Sequence, residues 1–195
     1  MKKLLITGFE PFGGENINPS WEAVERLPLE IKEYSLTKLC IPVVFGEAAD
    51  MVIKVAKDLC PDAIICVGQA GGREKITPEL VAINLRHALI PDNKGNQPKD
   101  TKIISDGENA FFSTIPARQI AETINAAGIP SQLSYSAGAY VCNDVLYTLL
   151  SHFIGGNTRV GFIHVPYSSD QGKQPAMNID DIVKGLKIAI ESLDI

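Results

Sequence analysis

Cys142 is the residue of this chain best placed for covalent chemistry. The small turn residues of Ser136-Ala137-Gly138-Ala139-Tyr140 lead into Val141-Cys142-Asn143, where a helical pattern begins. Backbone N–H groups at a helix start favour a thiolate over a thiol, so a cysteine there is expected to have a lowered pKa and to attack a carbonyl near neutral pH. Thiol attack on an amide also needs an imidazole to take the thiol proton and return one to the leaving amine, and a third group to orient that imidazole. His164, at the end of the apolar run Arg159 to Ile163, is the base that a rigid strand would hold. Glu79, just after Pro78, is the orienting carboxylate, preferred over Asp62 and over Glu74, which lies between Arg73 and Lys75 and reads as a solvated charge. Each has a plainer reading: a packed small residue, a hydrogen-bonded strand end, a surface charge.

Other candidates compete less well. His152 falls late in a helical pattern, where it complements the helix dipole. His87, between the Glu79 segment and a long loop, is the second-choice base. Cys40 and Cys66 lie in apolar runs and Cys60 ends a helical pattern, so all three read as small buried hydrophobes. The three histidines are far apart and the cysteines lack zinc spacing, so no metal or other cofactor is expected. Phe9 and Phe12 stand in the glycine-rich Gly8-Phe9-Glu10-Pro11-Phe12-Gly13-Gly14, and together they would form a flat apolar slot for a small, planar, neutral group.

These residues must be positioned by alternating elements. Strands are expected at Lys3–Thr7, Tyr34–Phe45, Ala63–Val67, Leu80–Leu85, Gln132–Ser134 and Arg159–Ile163. Helices are expected at Pro19–Leu27, with Asn18 as N-cap, and at 46–60, 116–127, 143–153 and 179–193. The pattern implies an α/β fold: a three-layer α/β/α sandwich around a mostly parallel, mixed sheet with a hairpin excursion, in one domain spanning residues 1–195. In such sheets ligands bind at the carboxyl ends of strands. Gly8–Gly14, Gly68–Arg73, Ser136–Asn143 and His164–Tyr167 each follow an expected strand and should gather on that edge. Residues 91–98 form the longest loop signal and are expected to cover a site.

Composition narrows the partners. A chain of 195 residues with 45% hydrophobic content can build one sizeable core. A net charge of -5 with scattered Lys and Arg argues against nucleic acid. The apolar run after Lys2-Lys3 stops at Thr7-Gly8, and no stretch nears the ~18 residues that would span a membrane. A cytoplasmic protein with free thiols and a small, neutral partner is expected.

Read together, Thr7 to Gly14, Asn18-Pro19-Ser20-Trp21, Gly68-Gln69-Ala70-Gly71-Gly72-Arg73, Ile76-Thr77-Pro78-Glu79, Ala82-Ile83-Asn84, Ile90-Pro91-Asp92-Asn93, Phe112-Ser113-Thr114, Val141-Cys142-Asn143 and His164-Val165-Pro166-Tyr167 closely resemble the type I pyroglutamyl peptidases. The resemblance implies a cytosolic, metal-free cysteine peptidase, often tetrameric, that removes N-terminal pyroglutamate from peptides. It implies Cys142 as nucleophile, His164 as base and acid, and Glu79 as orienting carboxylate. It also implies that Phe9 and Phe12 line the ring pocket, with Asn18 and Gln69 near it. Arg73 is a further substrate-side candidate, as a source of positive potential. Two departures stand out. His87-Ala88-Leu89 replaces the family's usual Asp-Ala-Arg, and Asp144 follows Asn143, where it is expected to point away from the thiol. A separate reading of Gly68–Gly72 is a phosphate-cradling turn, as in a nucleoside phosphorylase-like protein, although it lacks the Lys-Ser/Thr ending of a P-loop.

Overall fold

A computed structural model describes residues 1–193. Six strands form the main sheet in the order β2-β3-β1-β4-β8-β5: β1 (Lys2–Phe9), β2 (Glu30–Ile31), β3 (Tyr34–Ile41), β4 (Ala63–Gln69), β5 (Thr77–Pro78) and β8 (Arg159–Val165). The inner pairs β3–β1, β1–β4 and β4–β8 are parallel, and the short edge strands β2 and β5 are antiparallel. This is the mixed, mostly parallel α/β sheet expected from the alternating pattern.

Strands buried on both faces need apolar side chains in both directions, and the central strands have them. Along β4, Ala63, Ile65 and Val67 join the core under α1 (Pro19–Arg26), α3 (Ala117–Ala126) and α5 (Ile179–Glu191), whereas Ile64 and Cys66 join the core under α2 (Glu47–Leu59) and α4 (Val141–His152). The same alternation on β8 sends Ile163 and Val165 to the first face and Val160 and Phe162 to the second. His164 therefore shares the α4 face with Phe162. Val145, Leu146, Leu149 and Leu150 fasten α4 to this face, each contributing roughly 1.5–3 kcal/mol of burial.

Local signals explain the helix boundaries. The Asn18 side chain accepts from Ser20 N and Pro19 takes the first helical position of α1. Cys60, left-handed at φ 50°, ends α2 just before Pro61. The hairpin excursion is β6 (Val81–Ile83) paired antiparallel with β7 (Ala110–Phe112). β9 (Tyr167–Ser168) and β10 (Ala176–Met177) make a small parallel pair around a 3₁₀ turn at Ser169–Gln171.

Three expectations need correction. Gln132–Ser134 is not a strand; the segment joins the structure through single bridges of Ile76 with Ser131 and of Glu79 with Ser134. β3 stops at Ile41, where Pro42 removes a ladder donor. α4 starts at Val141, so Cys142 lies inside the first turn rather than before it.

Candidate active site

The carboxyl ends of β1, β4 and β8 meet the amino end of α4. β5 runs along β8 with Thr77 opposite His164, and Glu79 N donates to Phe162 O at 2.9 Å. On its other side the segment is tied by Ser134 N to Pro78 O and by Leu80 N to Ser134 O, at 2.9 and 2.8 Å. Two rigid backbones thus bring the Glu79 carboxylate to the imidazole, with His164 Nδ1 2.7 Å from Glu79 Oε1. Both side chains are buried.

The thiol is set beside them by a missing side chain. A Cβ at Gly68 would come within 3.0 Å of Cys142 Sγ and 2.7 Å of the Phe162 ring, so only glycine leaves room for the sulfur there. Gly68 is the register partner of His164, which places Sγ over the strand next to the imidazole on the same sheet face. The four segments expected on one edge do gather there. Ser136–Asn143 arrives from the Ser134 bridge rather than from a strand.

Desolvation overturns the expected thiol chemistry. As a residue Cys142 is half-buried, and burial of its thiol, with Glu79 and Cys66 nearby, pushes the pKa up to about 12 against the opposing effects of Arg73 and its own backbone N–H. The helix start does not win, and the resting group is a thiol. Burial also pulls His164 below its ordinary value; the Glu79 hydrogen bond and charge oppose this, and Arg73 adds to it. Burial raises Glu79, but the hydrogen bond and charge of His164 together with the Arg73 bond outweigh it and leave the carboxyl lowered. An ionised Glu79 only accepts, so Nδ1 of neutral His164 carries the proton and Nε2 keeps a free lone pair.

Arg73 takes a different place from the one expected. Its Nη1 donates to Glu79 Oε1 at 2.7 Å and to Thr77 Oγ1 at 2.5 Å, and its Nη2 donates to Ser136 O at 3.1 Å. It therefore backs the carboxylate and does not line the pocket beside Cys142. That pocket is lined by Phe9, Phe12, Asn18, Val43, Gln69, Tyr140, Val141 and Cys142. Phe9 is buried with its ring centroid 6.3 Å from Phe162, and half-buried Phe12 lies 6.4 Å from Tyr140. Asn18 reaches the lining while serving as a cap: Oδ1 accepts from Ser20 N and Oγ, and Nδ2 donates to Glu10 O.

The 91–98 loop supports the same pocket. Asn93 Nδ2 donates to Glu10 Oε1 and Pro11 O, and the Tyr140 hydroxyl donates to Pro91 O at 3.0 Å. Asp92 holds the loop by accepting from Phe45 N, Lys94 N and Asn96; burial raises its pKa, but these bonds prevail and lower it.

The remaining candidates separate clearly. His87 is bound through Nδ1 to Asp100 at 2.8 Å and is not brought to the thiol. His152 sits in the last turn of α4 against Phe153. Asp144 points away as expected: Oδ1 accepts from Arg86 Nε at 2.6 Å and Oδ2 from Gly46 N at 2.7 Å. Leu89 is 86% exposed, so its side chain does not fill the site. Cys66 is buried and Cys40 half-buried, but Cys60 is exposed, because the left-handed cap turns it out of the α2 packing stripe. The phosphate-turn reading also fails: Gly68–Arg73 leads into β5, not a helix, and a Cβ at Gly71 would run into the Tyr167 ring. Among the described residues no group of three or more His, Cys, Asp or Glu is arranged to hold a metal, and no helix is long and apolar enough to cross a membrane.

Sequence reading missed Val43, Tyr140 and Val141 as lining, the Arg86–Asp144 pair, and Gln171, whose Nε2 donates to Gln69 Oε1 at 2.9 Å. Only Tyr140 and Val141 carried a signal, as neighbours of Cys142.

Comparison with known proteins points to one family and one fold. The family model described as Pyroglutamyl peptidase matches residues 2–194. A pyrrolidone-carboxylate peptidase of Lactobacillus helveticus is 46% identical over 195 residues, covering 97% of this chain and 98% of the relative. The crystal structure of Bacillus amyloliquefaciens pyroglutamyl peptidase I superposes with a TM-score of 0.94 at 46% identity, over 99% of this chain and 97% of that one. The pyrrolidone carboxyl peptidase of Thermococcus litoralis superposes with a TM-score of 0.93 at 37% identity, over 99% and 93%.

Proposed function

The chain belongs to the pyroglutamyl peptidase family and is a cysteine-type peptidase, and from that premise we propose that it removes an N-terminal pyroglutamyl residue from peptides with Cys142 as nucleophile, His164 as base and acid, and Glu79 as orienting carboxylate. The observation that carries the assignment is the buried 2.7 Å Glu79–His164 pair on the strand beside Gly68, over which Cys142 Sγ lies.

The pKa shifts support one form of the first step. A neutral thiol meets a neutral imidazole, so Nε2 takes the thiol proton as Sγ forms its bond to the scissile carbonyl carbon. Glu79 stabilises the imidazolium at Nδ1 while Arg73 keeps the carboxylate ionised. The tetrahedral oxyanion is held by first-turn N–H groups of α4, that of Cys142 included; the N-cap Tyr140 makes no side-chain cap bond, so no capping group competes. The C–N bond then breaks as the imidazolium protonates the leaving amine, which leaves a thioester. Water, deprotonated by His164, releases pyroglutamate and restores the thiol.

The pocket explains the choice of N-terminus. A five-membered lactam is neutral, so the slot of Phe9, Phe12, Val43 and Tyr140 accepts it, while an ordinary ammonium would be desolvated without a counter-charge. Asn18 shapes this pocket as a cap, and Gln69 is the polar side chain we assign to the lactam. Arg73 acts behind Glu79 rather than on substrate. The cytoplasm is the setting that four free cysteines suit, and a homotetramer of single-domain chains, residues 1–195, is the assembly the resemblance implies.

Purified protein should release the reporter from a pyroglutamyl arylamide, and Cys142→Ala should abolish release. Absence of wild-type turnover, or full activity of Cys142→Ala, would overturn the reading. His164→Ala against His87→Ala tests the base: loss is expected in the first only.

A further inference from the structure

Gln69 ends β4 at the pocket, and its amide can face the ligand as a donor or as an acceptor. Hydrogen-bond polarity elsewhere fixes which. Ser168 N is a backbone donor and cannot reverse its role; it donates to Gln171 Oε1 at 3.0 Å. With its oxygen held there, Gln171 presents Nε2, which donates to Gln69 Oε1 at 2.9 Å. The oxygen of Gln69 is thereby occupied from outside the pocket, and its Nε2 is left without a protein partner among the described residues. The other amide and hydroxyl of the lining are committed to backbone carbonyls, Asn18 Nδ2 to Glu10 O and the Tyr140 hydroxyl to Pro91 O.

We propose that Gln171 is a specificity-determining positioning residue: the chain Ser168 N–H to Gln171 to Gln69 fixes the Gln69 amide so that its N–H₂ donates to the ring carbonyl of the bound lactam. This rests on the pyroglutamyl reading of the pocket. A ring without that carbonyl, such as a prolyl N-terminus, gains nothing from a fixed donor, and its charged amine meets one more positive dipole. Discrimination thus begins at a backbone N–H that no side-chain substitution at 168 removes, except proline.

The inference predicts an inverted ranking of substitutions. In Gln171→Glu the introduced carboxylate still accepts from Ser168 N but cannot donate, so Gln69 turns its N–H₂ toward it and shows the pocket an oxygen. In Gln171→Ala the Gln69 amide is free to take either orientation. KM for a pyroglutamyl arylamide and the inhibition constant of 2-pyrrolidone should therefore rise more in Gln171→Glu, by about tenfold or more, than in Gln171→Ala, with kcat changed far less. A purely structural role predicts the reverse, since glutamate is the closer isostere. Gln69→Glu, which keeps the Gln171 bond and offers only acceptors, is the second variant and should show the same KM defect.

Alkylation of Cys142 at the wild-type rate in each variant establishes that the thiol site is intact. KM in Gln171→Glu within about twofold of wild type, or a larger defect in Gln171→Ala than in Gln171→Glu, would overturn the proposal. Failure of the underlying reading shows differently, as wild-type protein that neither turns over the arylamide nor binds 2-pyrrolidone.

Discussion

The group of Glu79, His164 and Arg73 and the slot of Phe9, Phe12, Val43 and Tyr140 meet at Cys142, yet they follow opposite rules. The first gathers ionisable side chains around a buried Glu79–His164 pair, both of whose members are displaced from their ordinary pKa values. The slot has no ionised side chain in its lining, and apart from Gln69 Nε2 its amides and hydroxyl are bound to backbone or to another amide. Low dielectric serves each in its own way. It strengthens the Glu79–His164 interaction that stabilises a developing imidazolium, and it penalises a charged N-terminus that tries to enter. In the proposed mechanism one side sets the rate of bond making at sulfur, and the other sets which N-terminus arrives. Substitutions should therefore separate into kcat and KM effects, and any that do not would break the comparison.

The largest separation is expected at the sulfur. Cys142→Ala should lower kcat by about 10⁴-fold or more while calorimetry still shows 2-pyrrolidone binding. Loss of both would mean that the two regions are not independent. Glu79→Gln follows, with a fall in kcat of roughly 10²–10⁴-fold and a change in pH profile that fixes its role. In the proposed mechanism His164 works as the neutral base, and its pKa is already lowered, so kcat/KM should rise with pH through that value and level off above it. Because the Glu79 bond and charge raise the His164 pKa, removing the charge should move the acid limb to still lower pH as the plateau drops. An acid limb that moves upward would contradict the orienting role.

On the slot side, Phe12→Ala should raise KM about tenfold and change kcat little, because half-buried Phe12 contributes a face of the pocket and little core. Phe9→Ala is a poorer probe. Phe9 is buried against Phe162, so truncation should cost roughly 3–5 kcal/mol of stability, visible as a lower thermal midpoint.

These two regions were not equally legible in the sequence. The sheet and most helices follow from strong local signals: apolar runs at Ala63–Val67 and Arg159–Ile163, the Asn18-Pro19 cap, Pro61 after α2. The trio was legible because the strand-end rule brings distant segments to one edge, whichever register the strands adopt. What remained hidden depends on packing. The desolvation that raises the Cys142 thiol, the bond that draws Arg73 to Glu79 and the exposure of Cys60 come from the enclosure of single atoms, which neither periodicity nor spacing encodes. Gln171 was hidden for a different reason: its role is the direction of a hydrogen bond, and glutamine carries both directions in the same side chain.

The smallest expected effect tests the premise that burial and a base, rather than accessibility, make the nucleophile. Cys60 and Cys142 occupy opposite ends of helices and opposite edges of the sheet: Cys60 caps the carboxyl end of α2 just before β4 begins at Ala63, and Cys142 lies in the first turn of α4 where β4 ends. Cys60 is exposed, whereas the Cys142 thiol, pushed up to about 12, stays protonated at neutral pH unless His164 takes its proton. Iodoacetamide should therefore label Cys60 quickly without harm, and the slower modification of Cys142 should track inactivation and be slowed by 2-pyrrolidone. Cys60→Ser should leave kcat/KM within about twofold of wild type while removing the fast label, as counted by intact mass. Inactivation that disappears with the fast label would put the reactive thiol on the wrong edge of the sheet and break the division between the ionised group and the neutral slot.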